Sequence, residues 1–324
     1  MGSIATRRRE LSGESNWEDL LHPLDSDLRR YIIHYGERVG SVGDLYDDDT
    51  GKPDASKENF FEVACLIKGN KFKYVVTHFL YADSESEWFG YVAVTPDDGK
   101  AVVGRRDILV AWRGTKTDTE WIHNANCTPK RATELFGPST EAMVQTGFLS
   151  LYTSARTQLG RSTRDSNCNG HSGQQKIKSS MVTAFVYGGP RVGTTSLKNR
   201  FTQLGNGGSL HLLRIQNSSD PVPKLPNNSV YDYTHVGEEL MVDTSKSDYM
   251  KCKDSCTAHD LNVYLHGVAG VQEQGFRLAV DLDIALMDKY LDCLNDTKIP
   301  PKWWDVDENR RKMVQKDGGH WEKK

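Results

Sequence analysis

Three residues in the order serine, aspartate, histidine could together perform nucleophilic acyl transfer: Ser172, Asp220 and His259. Ser172 stands in Gly170-His171-Ser172-Gly173-Gln174. A Gly-x-Ser-x-Gly pattern sets a serine on a sharp strand-to-helix turn, where the glycines permit the bend and the helix N-terminus favours negative charge. The first glycine is present and the last is replaced by Gln174. Asp220 lies in Asn217-Ser218-Ser219-Asp220-Pro221-Val222-Pro223, after an expected strand end, where a carboxylate can orient an imidazole and stabilise its charged form. His259 lies in Thr257-Ala258-His259-Asp260-Leu261. Taken singly, these residues also suit a polar loop, a turn before proline and a helix start; their order is what singles them out.

Other chemistries are weaker. Cys252, Cys256 and His259 have a spacing that could gather metal ligands, with Cys293 in reserve, but no second paired motif accompanies them, and no metal is expected. Six cysteines scattered through 324 residues read as free thiols of an intracellular chain. With 41 basic and 44 acidic residues the net charge is −3, so no global field selects nucleic acid or an anionic membrane. No apolar run reaches the ~18 residues of a bilayer span, and the first residues lack the apolar middle of a signal peptide. Gly2 to Thr6 fits an N-myristoylation pattern followed by Arg7, Arg8 and Arg9, which could add a basic membrane signal. Asn-x-Ser matches such as Asn217-Ser218-Ser219 carry no weight without secretion.

The elements that must position the three residues follow from periodicity. Residues 1–16 read as a disordered basic tail and 17–324 as one domain, irregular over 154–180. Trp17 to Arg38 carries leucines and isoleucines at helical spacing and reads as a helical hairpin broken near Pro23. Phe72–Tyr81, Trp88–Thr95 and Arg106–Trp112 are strand-like, and a helix is expected after Gly147. Met181–Tyr187, a helix over Thr195–Leu204 and Leu210–Ile215 form a strand–helix–strand unit, which argues a parallel sheet. Val263–Val271 and Val280–Leu294 read as further helices. The fold class is α/β.

Several segments, in order, resemble the class 3 lipases, and in particular the plant phospholipase A1 branch. Arg106–Thr115 is similar to their strand and oxyanion turn, Gln145–Tyr152 to the segment after their lid, and Gly188-Gly189-Pro190-Arg191-Val192-Gly193 to a strand-to-helix turn. Asp220-Pro221-Val222-Pro223, His259-Asp260-Leu261 and Tyr264-Leu265-His266 resemble their acid and histidine segments. Pro300-Pro301-Lys302-Trp303-Trp304 resembles their tail. The resemblance implies an α/β-hydrolase-like, mostly parallel sheet flanked by helices, with Ser172 as nucleophile, Asp220 as acid and His259, rather than His266, as base. It implies oxyanion contacts from Thr115 and Gly173, a lid over Lys116–Asn126, and no cofactor or metal. The implied function is a cytoplasmic phospholipase A1-type serine acyl hydrolase that releases fatty acid from the first glycerol position. Its partners would be a phospholipid or glycerolipid substrate and a peripheral membrane contact, with no nucleic acid. The alternative is a catalytically inactive lipase-like remnant that binds lipid or protein.

The pattern breaks around the serine. The family places an apolar strand before this segment and a small-residue helix after it. This chain has Ser162 to Asn169 before and Gln174 to Ser180 after, both polar. By resemblance the central strand and the following helix are missing. A central strand buries about five side chains at ~1.5–3 kcal/mol each, roughly 10 kcal/mol, against a whole-domain stability of ~5–15 kcal/mol.

Overall fold

The computed structural model describes residues 4–67, 70–81, 87–115, 127–154, 156–157, 180–227, 231–272, 275–278, 285–295, 299–315 and 321–324. The chain opens with helix α1 (Ile4–Leu11), where a disordered basic tail was expected. Leu11 is fully buried. Arg7 pairs with Glu10, Asp25 and Asp27, and Arg9 pairs with Glu14. Of the three arginines read as a membrane signal, Arg7 and Arg9 are thus ion-paired with carboxylates of this chain.

Helix α2 (Ser26–Asp44) is the central scaffold. It starts where the Asp25 carboxylate accepts from the backbone N–H groups of Asp27 and Leu28 (2.9 and 3.0 Å), satisfying two of the orphan donors of a first turn. Leu28, Tyr31, Ile32, Tyr35 and Val42 recur at helical spacing and are all buried. The expected hairpin broken at Pro23 is thus a single helix beginning after the proline, preceded by turns.

Two half-sheets pack on this helix. In the first, strands β1 (Val75–Tyr81), β2 (Trp88–Val94) and β3 (Ile108–Trp112) run antiparallel, and β1 also pairs with the short β4 (Arg156–Thr157) after helix α3 (Thr146–Ser154). In the second, β5 (Val182–Tyr187), β6 (Leu210–Asn217) and β7 (Glu238–Val242) run parallel in the order β7-β6-β5, with helix α4 (Thr195–Gly205) as the β5–β6 crossover. Parallel neighbours need such a crossover, and the sequence predicted this one. Among the described residues no strand joins β3 to β5. Helix α2 bridges them: Tyr35 donates its hydroxyl to Asp107, just before β3, at 2.7 Å, and its ring stacks on Phe185 of β5 at 5.4 Å. The polar segments flanking Ser172, expected to be irregular, fall mostly outside the described residues; within them, Arg156 and Thr157 are strand.

Helix α5 (Leu261–Ala269) packs across α2. The contact needs Gly36, since a Cβ there would lie 2.3 Å from Leu265 Cδ2. The helix expected over Val280–Leu294 is, where described, only a 3-10 turn at Ala285–Asp288. One reading of the cysteines is also corrected. Cys252 and Cys293 form a disulfide, while Cys65, Cys127 and Cys256 are free. The two partners are 41 residues apart in sequence but meet beside Met250, Val263 and Leu294 in a satellite apolar cluster.

Candidate active site

Asp220 sits three residues past the end of β6, in a turn closed by its own N–H to the Asn217 carbonyl (3.0 Å). Its side chain is 0% exposed. Oδ1 accepts from the Val222 backbone N–H at 2.8 Å, and Oδ2 accepts from His259 Nδ1 at 2.7 Å and from the Tyr264 hydroxyl at 2.6 Å. Burial pushes the carboxyl's pKa up, but the bonds from His259, Tyr264 and Val222 outweigh it and hold the pKa below the ordinary value. The acid is therefore kept ionised.

His259 ends a 3-10 turn, Thr257–His259. Two aspartates hold that turn. Asp254 accepts from the N–H groups of Cys256 and Thr257 and from the Thr257 hydroxyl (3.0, 2.9 and 2.6 Å), and Asp260 caps α5 by accepting from Asn262 N–H at 2.7 Å. With Nδ1 donating to Asp220, Nε2 is left as the basic nitrogen. The His259 side chain is 37% exposed, so the imidazole is partly open while its Nδ1 is held by a buried carboxylate. That is the arrangement a general base requires.

Three further residues complete this half of the site, and sequence reading gave none of them a role. Tyr264 lies one helical turn past Asp260, so its position on α5 aims it at Asp220. Asn217, noticed only as a sequon, is 2% exposed; its amide donates to the Thr244 hydroxyl (2.8 Å) and to the carbonyl of Ala258 (3.1 Å), tying the end of β6 to the residue before the histidine. Gly188, at φ +62°, closes β5 against the pair: a Cβ there would stand 3.2 Å from His259 Cε1 and 3.1 Å from the Tyr264 ring. The signal for it was Gly188-Gly189-Pro190 itself, a turn demanding a left-handed residue.

His266 is a core group. It is 0% exposed, Nε2 shares a hydrogen bond with the Ser247 hydroxyl (2.8 Å), the ring stacks on Phe276, and burial pushes its pKa down to about 3. Thr115 lies three residues beyond β3 and is half-buried. Ser172 and Gly173 lie outside the described residues, as do the expected lid at Lys116–Asn126 and Gly2. Cys252 is engaged in the disulfide and His259 Nδ1 on Asp220, so the ligand set weighed for a metal does not assemble. Among the described residues no group of three or more His, Cys, Asp or Glu side chains is placed to hold a metal.

A buried carboxylate after a parallel strand holds a half-open histidine further along the chain, and comparison with known proteins gives the family. The model of the Lipase (class 3) family matches residues 109–171 and 168–230, and the chain belongs to that family. Within it, the chain is similar to phospholipases A1-II of plants. It is 37% identical to phospholipase A1-IIbeta of Arabidopsis thaliana over 396 aligned positions, covering 99% of this chain and 94% of that one. It is 35% identical to phospholipase A1-II 1 of Oryza sativa subsp. japonica over 388 positions, covering 99% and 96%. Among solved structures, lipase II from Rhizopus niveus aligns at 19% identity with a TM-score of 0.41, covering 65% of this chain and 80% of that one.

Proposed function

We propose that the chain is a phospholipase A1-type serine acyl hydrolase in which Asp220 and His259 activate Ser172. The observation that carries this reading is the 2.7 Å contact between His259 Nδ1 and the fully buried Asp220, in a chain of the class 3 lipase family. In the proposed reaction His259 Nε2 takes the serine proton as Oγ attacks the ester carbonyl. The resulting imidazolium is stabilised by Asp220 and returns the proton to the leaving alkoxide; water then releases the acyl group by the same route. Backbone N–H groups of Thr115 and Gly173 would hold the oxyanion, a contact whose loss costs on the order of 3 kcal/mol in comparable sites. The substrate proposed is the ester at the first glycerol position of a phospholipid.

Cytoplasmic residence with peripheral lipid contact belongs to the same proposal. No helix among the described residues is long and apolar enough to cross a membrane. The Cys252–Cys293 disulfide is the observation against the cytoplasm, because such bonds persist mainly in oxidising compartments. A thiol count on protein recovered from a cytosolic fraction decides it.

The second reading, an inactive remnant that binds lipid or protein, draws on apolar surface left open on β3, where Ile108 and Trp112 are exposed. One experiment separates the two. The purified chain is treated with a fluorophosphonate probe and, separately, given phosphatidylcholine with a labelled acyl chain at the first position. Labelling and release that disappear in Ser172→Ala establish the hydrolase. A folded chain that neither labels nor releases acid, yet binds vesicles, establishes the remnant.

A further inference from the structure

On β6 the side chains of Leu213, Ile215 and Asn217 share one face, because strand residues alternate with a period of two. Leu213 and Ile215 belong to the apolar core, and Asn217 is buried with them. An amide at the end of such a row is costly unless its polar atoms are bonded. Here Nδ2 donates to the Thr244 hydroxyl at 2.8 Å and to the Ala258 carbonyl at 3.1 Å, and Oδ1 accepts from the Thr244 backbone N–H at 3.3 Å. Its orientation is fixed, since the Ala258 carbonyl can only accept and the Thr244 N–H can only donate.

Both members of the Asp220–His259 pair are referred to this one residue. The Asn217 main-chain carbonyl accepts from the Asp220 N–H at 3.0 Å, and its side chain holds the carbonyl of the residue before His259. The turn that carries the histidine is otherwise closed on itself: the N–H groups of Ala258, His259 and Asp260 donate to the carbonyls of Asp254, Cys256 and Thr257. Those bonds shape the turn, and the bond from Asn217 attaches it to the end of β6. The Cys252–Cys293 disulfide encloses the same turn but reaches His259 through a run of exposed residues, Lys253 to Cys256.

We propose that Asn217 is a positioning residue for His259, acting through the Ala258 carbonyl to hold the imidazole on Asp220, with Thr244 orienting its amide. The effect on rate rests on the reading of Asp220 and His259 as acid and base of an acyl hydrolase; the hold itself rests on the geometry alone. A turn released from β6 lets the imidazole drift from the proton it must take, and a misplacement of ~1 Å costs about 100-fold in rate. Because the amide acts on the base and not on bound lipid, kcat falls while KM stays.

The test compares Asn217→Ala, Thr244→Val and Cys252→Ser in the full chain, at a temperature where far-ultraviolet circular dichroism shows the variants folded. Turnover is measured on phosphatidylcholine labelled in its first acyl chain, and the His259 Nδ1–H proton is followed by NMR of 15N-histidine protein, assigned by its absence in His259→Ala. Asn217→Ala should lower kcat about 10- to 100-fold with apparent KM within about twofold, and should remove the Nδ1–H resonance. Thr244→Val leaves the amide free to turn; it should lower kcat about threefold and add nothing in an Asn217→Ala background, as residues acting as a unit do. Cys252→Ser loosens the outer side of the turn and should leave kcat and the resonance unchanged. A folded Asn217→Ala with wild-type kcat overturns the proposal. So does a Cys252→Ser that loses as much, since any loosening would then suffice. Where Asn217→Ala does not fold, Thr244→Val takes its place, and an unchanged kcat and resonance in that variant overturn the proposal equally. If the wild-type chain releases no acid, the hydrolase reading falls by itself, and the resonance still decides the hold: its loss in Asn217→Ala upholds it and its persistence ends it.

Discussion

The parallel half-sheet and the antiparallel half-sheet share α2 but differ in how completely they are finished. Around β5, β6 and β7 the Asp220–His259 pair is closely held: Asp220 accepts three hydrogen bonds, Asn217 anchors the histidine turn, and Gly188 leaves room for both rings. The antiparallel half ends in β3, whose outward side chains are open and whose exit leads through Thr115 toward residues outside the described structure. The Asp220–His259 pair is thus fully positioned by described elements, whereas Ser172 lies outside the described residues. The reason is topological. Asp220 and His259 are fixed by segments that follow one another closely between residues 182 and 269, whereas a serine elbow needs a strand between the two half-sheets.

Mutations can break this comparison at its strong side. His259→Ala removes the base and should cost at least about 10⁴-fold in acyl release and in probe labelling of Ser172, measured by steady-state turnover and labelling rate. Asp220→Asn should cost about 10³- to 10⁴-fold in the same assays while leaving far-ultraviolet circular dichroism intact. If neither variant matters, the completed half of the molecule is scaffolding and the hydrolase reading fails.

Smaller effects sharpen it. Cys252→Ser opens a loop of 41 residues that contains His259 and should lower stability by about 2–4 kcal/mol, read from denaturant midpoints. Tyr264→Phe removes one of three donors to a buried carboxylate and should cost about 1–2 kcal/mol of stability at neutral pH. The folded Asp220 pKa lies below the unfolded one, so this contribution is full above the unfolded value of about 3.9 and is lost as pH falls through the folded value. The gap between native and Tyr264→Phe stability should therefore close in acid, and a gap constant with pH would show that the hydroxyl acts by packing alone. The last effect bears on pH dependence and not on labelling: it is at His266, whose pKa burial depresses to about 3. Because the unfolded chain binds a proton there first, stability should fall as pH drops from about 6.5 toward 3, and His266→Gln should flatten that slope in melting scans without altering labelling.

Much of this was legible in the residues. The strands β1, β2, β3, β5 and β6 announced themselves as short β-branched and aromatic runs, and the strand–helix–strand unit fixed parallel pairing. The acid–histidine order pointed to two side chains that the fold brings within hydrogen-bonding distance. What local pattern missed was set by distant partners. Residues 4–11 look like a solvated tail until Asp25 and Asp27, both about twenty positions away, neutralise Arg7. Cys252 and Cys293 carry no spacing signature, because a pair 41 residues apart is defined only by the packing around Met250 and Val263. Asn217 matched a sequon by composition and is buried by topology. The apolar run from Val280 to Leu294 had helical content but no cap, and where it is described the N–H groups of Cys293 and Leu294 donate to the Asp288 carboxylate instead of to helical carbonyls.

The disulfide also makes a covalent ring of residues 252–293, with His259 and all of α5 inside it. A single protease cut within that ring, for instance in the stretch after α5, would leave two polypeptides that still migrate as one until a reductant is added. His259 and α5 would stay on the N-terminal fragment, and the C-terminal fragment would stay attached to it through Cys252–Cys293, so only a reducing gel would show such a preparation to be cut.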